Sequence, residues 1–254
     1  MTQPSTSTRV ALVTGGAQGI GRGIVQRLAK EGYAVVVCDI NEEQLAETLR
    51  TTQSQHELIA IRVNVADEAS VAAAFKQVEE RFGKLDVLVN SAGLLGMIDN
   101  KAPTVEETPL EQWQRVLSVN LTGAFLVCRA AIPLLKRNGG GRIVNVASRA
   151  ARVRSGNPAY AASKGGLVTF SRYLAGDVAQ FGINVNCIAP SRVDTPMTRA
   201  ISTNDVLASK VAETPLGRIG TVEDMAGTVA FLVSKDASFI TGAIIDVNGG
   251  SYMQ

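Results

Sequence analysis

Short apolar runs rich in β-branched residues alternate with longer amphipathic stretches along the chain, which predicts an α/β domain built on a doubly wound parallel sheet of seven strands. Two further observations support this class. The strand candidates are apolar at nearly every position, as strands covered on both faces are. No Pro-rich or Gly/Ser-rich linker divides the 254 residues, so a single domain is expected.

Taken in order, the strand candidates are Arg9–Thr14, Ala34–Asp39, Leu58–Asn64, Val87–Ser91, Arg142–Ala147, Asn184–Ala189 and Ile244–Val247. Helical periodicity falls between them, near Ile20–Glu31, Glu42–Thr51, Glu68–Phe82, Glu111–Lys136, Ala159–Phe181 and Val222–Val233. Local chemistry sets these limits. Asn41, Asp67 and Thr221 can cap the helices they precede, and Gly32, Gly83 and Gly182 follow helices as C-terminal glycines do. The polar stretch 1–8 reads as a flexible tail ahead of a domain spanning 9–254.

Composition excludes several function classes. Net charge is +2, from 25 basic and 23 acidic residues spread along the chain, unlike the basic face of a nucleic-acid binder. No apolar run approaches the roughly 20 residues that span a bilayer, so no membrane partner is expected. Cys38, Cys128 and Cys187 sit in apolar surroundings without CxxC spacing and read as reduced core residues of a cytoplasmic protein. His56 is the one histidine and lies in a polar stretch, which removes a His-based triad or a zinc site; no metal is expected.

Thr14-Gly15-Gly16-Ala17-Gln18-Gly19-Ile20-Gly21 follows the first strand and opens the first helix. Glycines there permit a tight turn and close backbone approach, and the helix N-terminus offers unpaired N–H groups to a pyrophosphate. Asp39 ends the second strand, 18 residues after Gly21, where a carboxylate accepts from an adenosine ribose and repels a 2′-phosphate. NAD is the expected cofactor; Arg22, beside the turn, leaves some use of NADP open.

Tyr160 and Lys164, four residues apart, share a helix face. A cation beside a phenol favours the phenolate, so Lys164 is expected to lower the Tyr160 pKa and fit it for proton exchange with substrate. Twelve residues upstream of Tyr160 stands Ser148.

Together these residues resemble the short-chain dehydrogenase/reductase family, in which the match runs from about Arg9 to Gly250. Its Thr-Gly-x-x-x-Gly-x-Gly turn corresponds to Thr14–Gly21. Its Asn-Asn-Ala-Gly segment corresponds to Asn90-Ser91-Ala92-Gly93, its helix asparagine to Asn120 and its strand-end serine to Ser148. The Tyr-x-x-x-Lys pair is Tyr160 and Lys164, and the Pro-Gly segment with its downstream threonine matches Pro190–Thr195. The resemblance implies a Rossmann-like fold, a homotetramer formed through the two long helices, and catalysis by Asn120, Ser148, Tyr160 and Lys164. In that scheme Tyr160 is the general acid or base and Ser148 holds the substrate oxygen. Lys164 also bonds the nicotinamide ribose, and Asn120 positions a relay water. It further implies a cofactor cradle of Gly15, Gln18, Gly19, Ile20, Gly21, Asp39, Asn64, Val65, Asn90, Ala92, Gly93, Tyr160, Lys164, Pro190, Val193 and Thr195.

The chain departs from the family pattern at four places. Asn64 replaces an aspartate that accepts from adenine, Ser91 replaces an asparagine, and Ser191 replaces the glycine of Pro-Gly. The Ser148–Tyr160 loop is one residue short. Arg149, Arg152, Arg154 and Arg192 fall in the segments expected to border substrate, and a lid is expected near 191–215, with Met197, Ile201, Val206 and Leu207 as its apolar face. The reaction expected is hydride transfer between NAD(H) and a secondary alcohol or ketone of the polyol, sugar or hydroxy-acid class. The alternatives are a 3-oxoacyl-thioester reductase using NADPH and a non-catalytic NAD-binding regulator.

Overall fold

A computed structural model describes residues 8–99, 101–200 and 202–253. Of the tail expected over 1–8, all but Thr8 lies outside the described residues, as does Ile201 of the expected lid. Seven strands form one sheet: β1 (Arg9–Thr14), β2 (Tyr33–Asp39), β3 (Leu58–Arg62), β4 (Val87–Asn90), β5 (Gly141–Val146), β6 (Ile183–Pro190) and β7 (Ile244–Val247). Every pairing is parallel, in the order β3-β2-β1-β4-β5-β6-β7. The winding reverses between β1 and β4, and the carboxyl ends there open the crevice in which such sheets bind ligands.

Helices cover both faces: α1 (Gly19–Lys30), α2 (Glu42–Thr51), α3 (Glu68–Phe82), α4 (Leu110–Leu117), α5 (Gly123–Arg137), α6 (Pro158–Val178), α7 (Pro196–Ala200), α8 (Asn204–Ala212) and α9 (Val222–Val233). The period-2 geometry of a strand divides β1 between two cores. Val10 and Leu12 pack with Val71 and Val78 of α3, Leu126 and Ala131 of α5 and Leu174 of α6. Ala11 and Val13 pack with Ile24 and Leu28 of α1 and Met225 and Val229 of α9.

The expected caps are in place. Asn41 Oδ1 accepts from Gln44 N at 3.0 Å, Asp67 accepts from Ala69 N and Ser70 N, and Thr221 forms a reciprocal box with Asp224. Gly32, Gly83 and Gly182 take the left-handed conformation at φ +81°, +66° and +71° that stops a helix cleanly. Cys38, Cys128 and Cys187 are buried and unpaired, and His56 is exposed.

Three features differ from the sequence reading. The lid segment carries two short helices, α7 and α8. The long helix expected over 111–136 is interrupted by a π-turn at Ser118–Thr122 between α4 and α5. The whole stretch Leu110–Arg137 is nevertheless continuous and, by length and composition, apolar enough to cross a membrane. Ser118, Asn120, Thr122 and the charged Arg115 and Arg129 interrupt its apolar residues, so no uninterrupted apolar run marks it in the sequence. Its apolar side, including Leu126, Val127, Ala131 and Leu134, is packed in the core.

A polar layer crosses this core beneath the carboxyl ends of the strands. Register places Asn90 of β4 opposite Asn145 of β5, and Asn145 opposite Cys187 of β6. Asn90 Nδ2 donates to Asn145 Oδ1 at 2.9 Å, Asn145 Nδ2 to Ser171 Oγ at 2.7 Å, and Ser171 Oγ to Leu167 O at 2.6 Å. Asn145 is fully buried. Replacing it with Ala removes the acceptor of one buried amide and leaves a cavity, so Asn145→Ala should cost roughly 2–4 kcal/mol in denaturant unfolding. A loss under about 0.5 kcal/mol would show that the layer is not structural.

Candidate active site

The glycine turn is held by contacts that exclude a side chain. A Cβ on Gly21 would lie 1.9 Å from Gly15 O, and one on Gly15, at φ +65°, would lie 2.6 Å from Ala92 N. The turn therefore presses directly on β4's extension and starts α1 without a gap. Gln18, the residue before α1, makes no side-chain cap, and the first turn of α1 holds no acidic residue. The first N–H groups of α1 thus face the cleft, the arrangement that binds an anion. Arg22 braces the turn from behind: Nε donates to Ala17 O and Thr48 Oγ1, both at 2.9 Å, and Nη2 to Gln44 Oε1 at 2.9 Å. It does not line the cleft, so the phosphate contact considered for it is replaced by a structural one.

A cleft of about 680 Å³ runs over the carboxyl ends of the strands. Of the cofactor residues expected, Gly15, Gln18, Gly19, Ile20, Gly21, Asp39, Asn64, Val65, Ala92, Gly93, Tyr160, Lys164, Pro190, Val193 and Thr195 line it. Asp39 accepts from Ala17 N and Asn41 N, each at 3.1 Å, which uses two of a carboxylate's four acceptor positions. Asn64 Oδ1 accepts from Ala66 N at 3.1 Å. Asn90 is the exception. Its amide turns inward to Asn145 and to Cys128 Sγ at 3.2 Å, and Ser91 takes the place at the cleft wall.

α6 brings Tyr160 and Lys164 to the cleft beside Ser148, which ends the strand–turn junction after β5. Asn157 fixes where that helix starts: Oδ1 accepts from Tyr160 N at 2.9 Å, while Nδ2 donates to Gly96 O at 3.0 Å and to Leu95 O. This capping role was not read from the sequence, although an Asn-Pro pair opening a helix is a usable signal for it. Asn120, inside the π-turn, donates from Nδ2 to Leu94 O and Ser163 Oγ, both at 3.0 Å, and accepts from Leu94 N at 2.9 Å. Ser163 Oγ donates in turn to Tyr160 O at 2.8 Å. Asn120 itself is buried and does not line the cleft.

The electrostatics reverse one expectation. Burial pushes the Tyr160 phenol up from its ordinary value, and its hydrogen bond to Ser148 only partly opposes this. Lys164 does not offset the burial, because its ammonium lies 5.7 Å from the Tyr160 ring centroid and donates to Val146 O at 2.7 Å. Burial brings Lys164 itself down to about 8, with nearby Cys187 opposing. The protein alone thus holds Tyr160 as a proton donor.

Past the catalytic candidates, Arg149 and Arg192 line the cleft, with Met197, Lys210, Glu213, Thr214 and Ser251. Arg152 turns away to Asp246, at 3.5 Å, and Arg154 is exposed outside the cleft. Ser191, the substituted glycine, accepts from Ser251 Oγ at 3.0 Å. Of the expected lid face, Met197 lines the cleft, and Val206 and Leu207 do not.

Comparison with known proteins accords with this geometry. A family model described as Enoyl-(Acyl carrier protein) reductase matches residues 15–252. The chain is 38% identical over 247 residues to 2-dehydro-3-deoxy-L-rhamnonate dehydrogenase (NAD(+)) of Sphingomonas sp. (strain SKA58), covering 95% of this chain and 94% of that protein. It is 40% identical over 245 residues to cis-4-hydroxycyclohexanecarboxylate dehydrogenase of Sinomonas cyclohexanicum, covering 95% and 96%. Among solved structures, a 3-oxoacyl-[acyl-carrier protein] reductase with bound NAD from Brucella melitensis superposes with a TM-score of 0.89 at 34% identity, covering 99% of this chain and 94% of that one.

Lys164 binds a proton less readily when folded than when unfolded, so its charge destabilises the fold fully below about pH 8 and progressively less as pH climbs toward the ordinary lysine value. Lys164→Met removes that cost and forfeits the bond to Val146. It should raise stability at pH 7 by on the order of 2 kcal/mol, a gain that shrinks on the alkaline side. Thermal midpoints measured across pH test this, and a variant less stable than the parent at pH 7 contradicts it.

Proposed function

The chain belongs to the short-chain dehydrogenase/reductase family and is an oxidoreductase, and on that footing we propose that it moves a hydride between NAD(H) and a secondary alcohol or ketone of the polyol, sugar or hydroxy-acid class. The observation that carries this reading is the continuity of the cleft, from the Asp39 carboxylate past the free N–H groups of α1 to the Ser148, Tyr160 and Lys164 side chains. Such a cleft fits a dinucleotide along its length. Gly19 lines it in a left-handed conformation at φ +54° that favours glycine, and Asp39 retains acceptor positions for a ribose and would repel a 2′-phosphate. When bound, the nicotinamide supplies the hydride donor or acceptor.

The protein's own part is proton transfer and charge stabilisation. In ketone reduction, Tyr160 Oη gives its proton to the substrate oxygen while Ser148 Oγ donates a hydrogen bond to the same atom as negative charge develops. The raised phenol value keeps that proton in place at neutral pH. Lys164 stays largely cationic below about 8 and is held by Val146 O, where its remaining N–H donors can meet the nicotinamide ribose. The Asn120 side-chain amide is taken by Leu94 and Ser163 and holds the Gly93–Leu94 backbone against Lys164, and in this reading the same residue also positions the relay water. Alcohol oxidation reverses the transfer and requires Tyr160 to lose its proton first, so oxidation should quicken as pH rises and reduction should slow.

A homotetramer assembled through the α4–α5 and α6 surfaces belongs to the same reading, with the cytoplasm as its compartment. Open space above Gly165 and the exposed Phe125 and Tyr173 support the assembly. The segment 191–215 acts in it as the substrate lid. Reduction of 3-oxoacyl thioesters is the second reading, favoured by the similarity to the Brucella melitensis enzyme and opposed, for NADPH, by Asp39.

Tyr160→Phe should lower kcat/KM by about 10²–10⁴ while leaving NADH binding by fluorescence near the parent value; turnover within tenfold of the parent would refute the assignment. Asp39→Ser should shift the NADP-to-NAD ratio of kcat/KM upward by at least about tenfold, since one carboxylate–phosphate repulsion is worth roughly 1.4 kcal/mol or more. An unchanged ratio would place cofactor selection elsewhere.

A further inference from the structure

Arg149 follows Ser148 at the carboxyl end of β5, and Arg192 lies two residues beyond the end of the neighbouring β6. Both line the cleft. A guanidinium carries five N–H donors, and each of these two spends one of them on the protein: Arg149 Nη1 donates to Ser251 O at 3.1 Å, and Arg192 Nη1 to Ser202 Oγ at 2.8 Å. Arg149 Nε is buried without a partner.

Neither arginine belongs to an ion pair among the described residues, in contrast to their neighbours. Arg152 pairs with Asp246, Arg199 with Asp194, and Lys210 with Glu213 at 2.5 Å. Glu213 is the one carboxylate that shares this part of the wall, and it is held by Lys210. The two guanidiniums are also near enough for Arg149 to lower the Arg192 value, after the larger effect of burial. Two like charges drawn partly out of water, one with a buried unpartnered Nε, are a cost to the folded protein that the Glu213 carboxylate offsets only in part. A bound anion removes it.

We infer that Arg149 and Arg192 form a subsite for a substrate carboxylate, which makes the substrate a hydroxy acid or the corresponding keto acid and not a neutral polyol or an acyl thioester. This deepens the oxidoreductase reading and rests on it. Planar forks on two sides match the two oxygens of a carboxylate. A dianionic phosphate would bring a second charge against Glu213. Arg149 is adjacent in the chain to Ser148, with consecutive Cα atoms about 3.8 Å apart. The carboxylate and the reacting oxygen are therefore held by neighbouring residues, as suits a small molecule.

The test uses a chain-length series of linear hydroxy acids, each with its methyl amide and phosphate-ester counterpart, assayed by nicotinamide absorbance with the full-length protein. The parent should favour acid over amide in kcat/KM. Arg192→Met and Arg149→Met, which keep an apolar stem, should each reduce that acid-to-amide ratio by about 10- to 1,000-fold, mainly through KM. Arg192→Lys should restore part of it, since charge returns without the fork. A parent without acid preference, a ratio unmoved by both substitutions, or a preference for the phosphate ester would each overturn the subsite. Calorimetric binding of the acids to the NADH-loaded Tyr160→Phe protein separates the two claims. Arginine-dependent acid binding with no turnover by the parent would uphold the subsite and defeat the hydride-transfer reading. Turnover without acid discrimination would do the reverse.

Discussion

The site depends first on a steric constraint: the carbonyl of Gly15 and the α-carbon of Gly21 must meet. A methyl group there would sit 1.9 Å from the oxygen, so no other residue fits without moving backbone. That approach lets α1 begin immediately above the carboxyl end of β1 and aim its unpaired amides across the crevice. The same turn is pressed against Ala92, which ties the position of Gly93 beyond β4 to the position of the turn. Arg22, Thr48 and Asp39 then hold Ala17 on both its N–H and its carbonyl side. The geometry of the glycine turn is thus a consequence of packing between the first strand and the extension of the fourth.

Burial works in two opposite ways a few residues apart. Beneath the cleft it strengthens a hydrogen-bonded layer through Asn90, Asn145 and Ser171, in which each amide N–H group donates to the next strand or helix while Asn90 Oδ1 is left without a partner. At the cleft it weakens ionisation, raising Tyr160 and depressing Lys164. Cys187 touches both regimes, since it lies opposite Asn145 in the sheet and opposes the depression of Lys164. The low-dielectric interior around the layer is also what keeps the Tyr160 phenol protonated and brings Lys164 down to about 8.

Much of this was legible in the residues, for physical reasons. Caps such as Asp67 and Thr221 and stops such as Gly83 and Gly182 act within a few residues of themselves, so local sequence contains them. The turn from Gly15 to Gly21 is legible because only glycine tolerates its contacts. What escaped were properties set by neighbours remote in sequence. Asn90 belongs to a cofactor motif by position, yet its amide is drawn inward by Asn145, 55 residues away. The Tyr160 value follows from how deeply the fold buries it and from where Val146 directs Lys164, neither of which spacing reveals. Asn157 starts α6 and pins Leu95 and Gly96, partners 62 and 61 residues away that local sequence does not announce.

The π-turn at Ser118–Thr122 amounts to one residue inserted into an otherwise regular helix. Each residue of an α-helix advances the chain by roughly 100° around its axis, so the insertion rotates everything before it relative to everything after. α5 keeps its stripe against the sheet, and α4 is independently free to present Val116 toward Gly96. Loss of a single residue from this turn would restore a regular helix that still buries Leu126 and Ala131 correctly. It would also swing Asn120 by about a quarter turn, away from Leu94 and Ser163. Such a protein would fold, keep its sheet and its glycine turn, and lose the alignment of Gly93 over Lys164. In this chain, the count of residues in one helix is itself part of the active site.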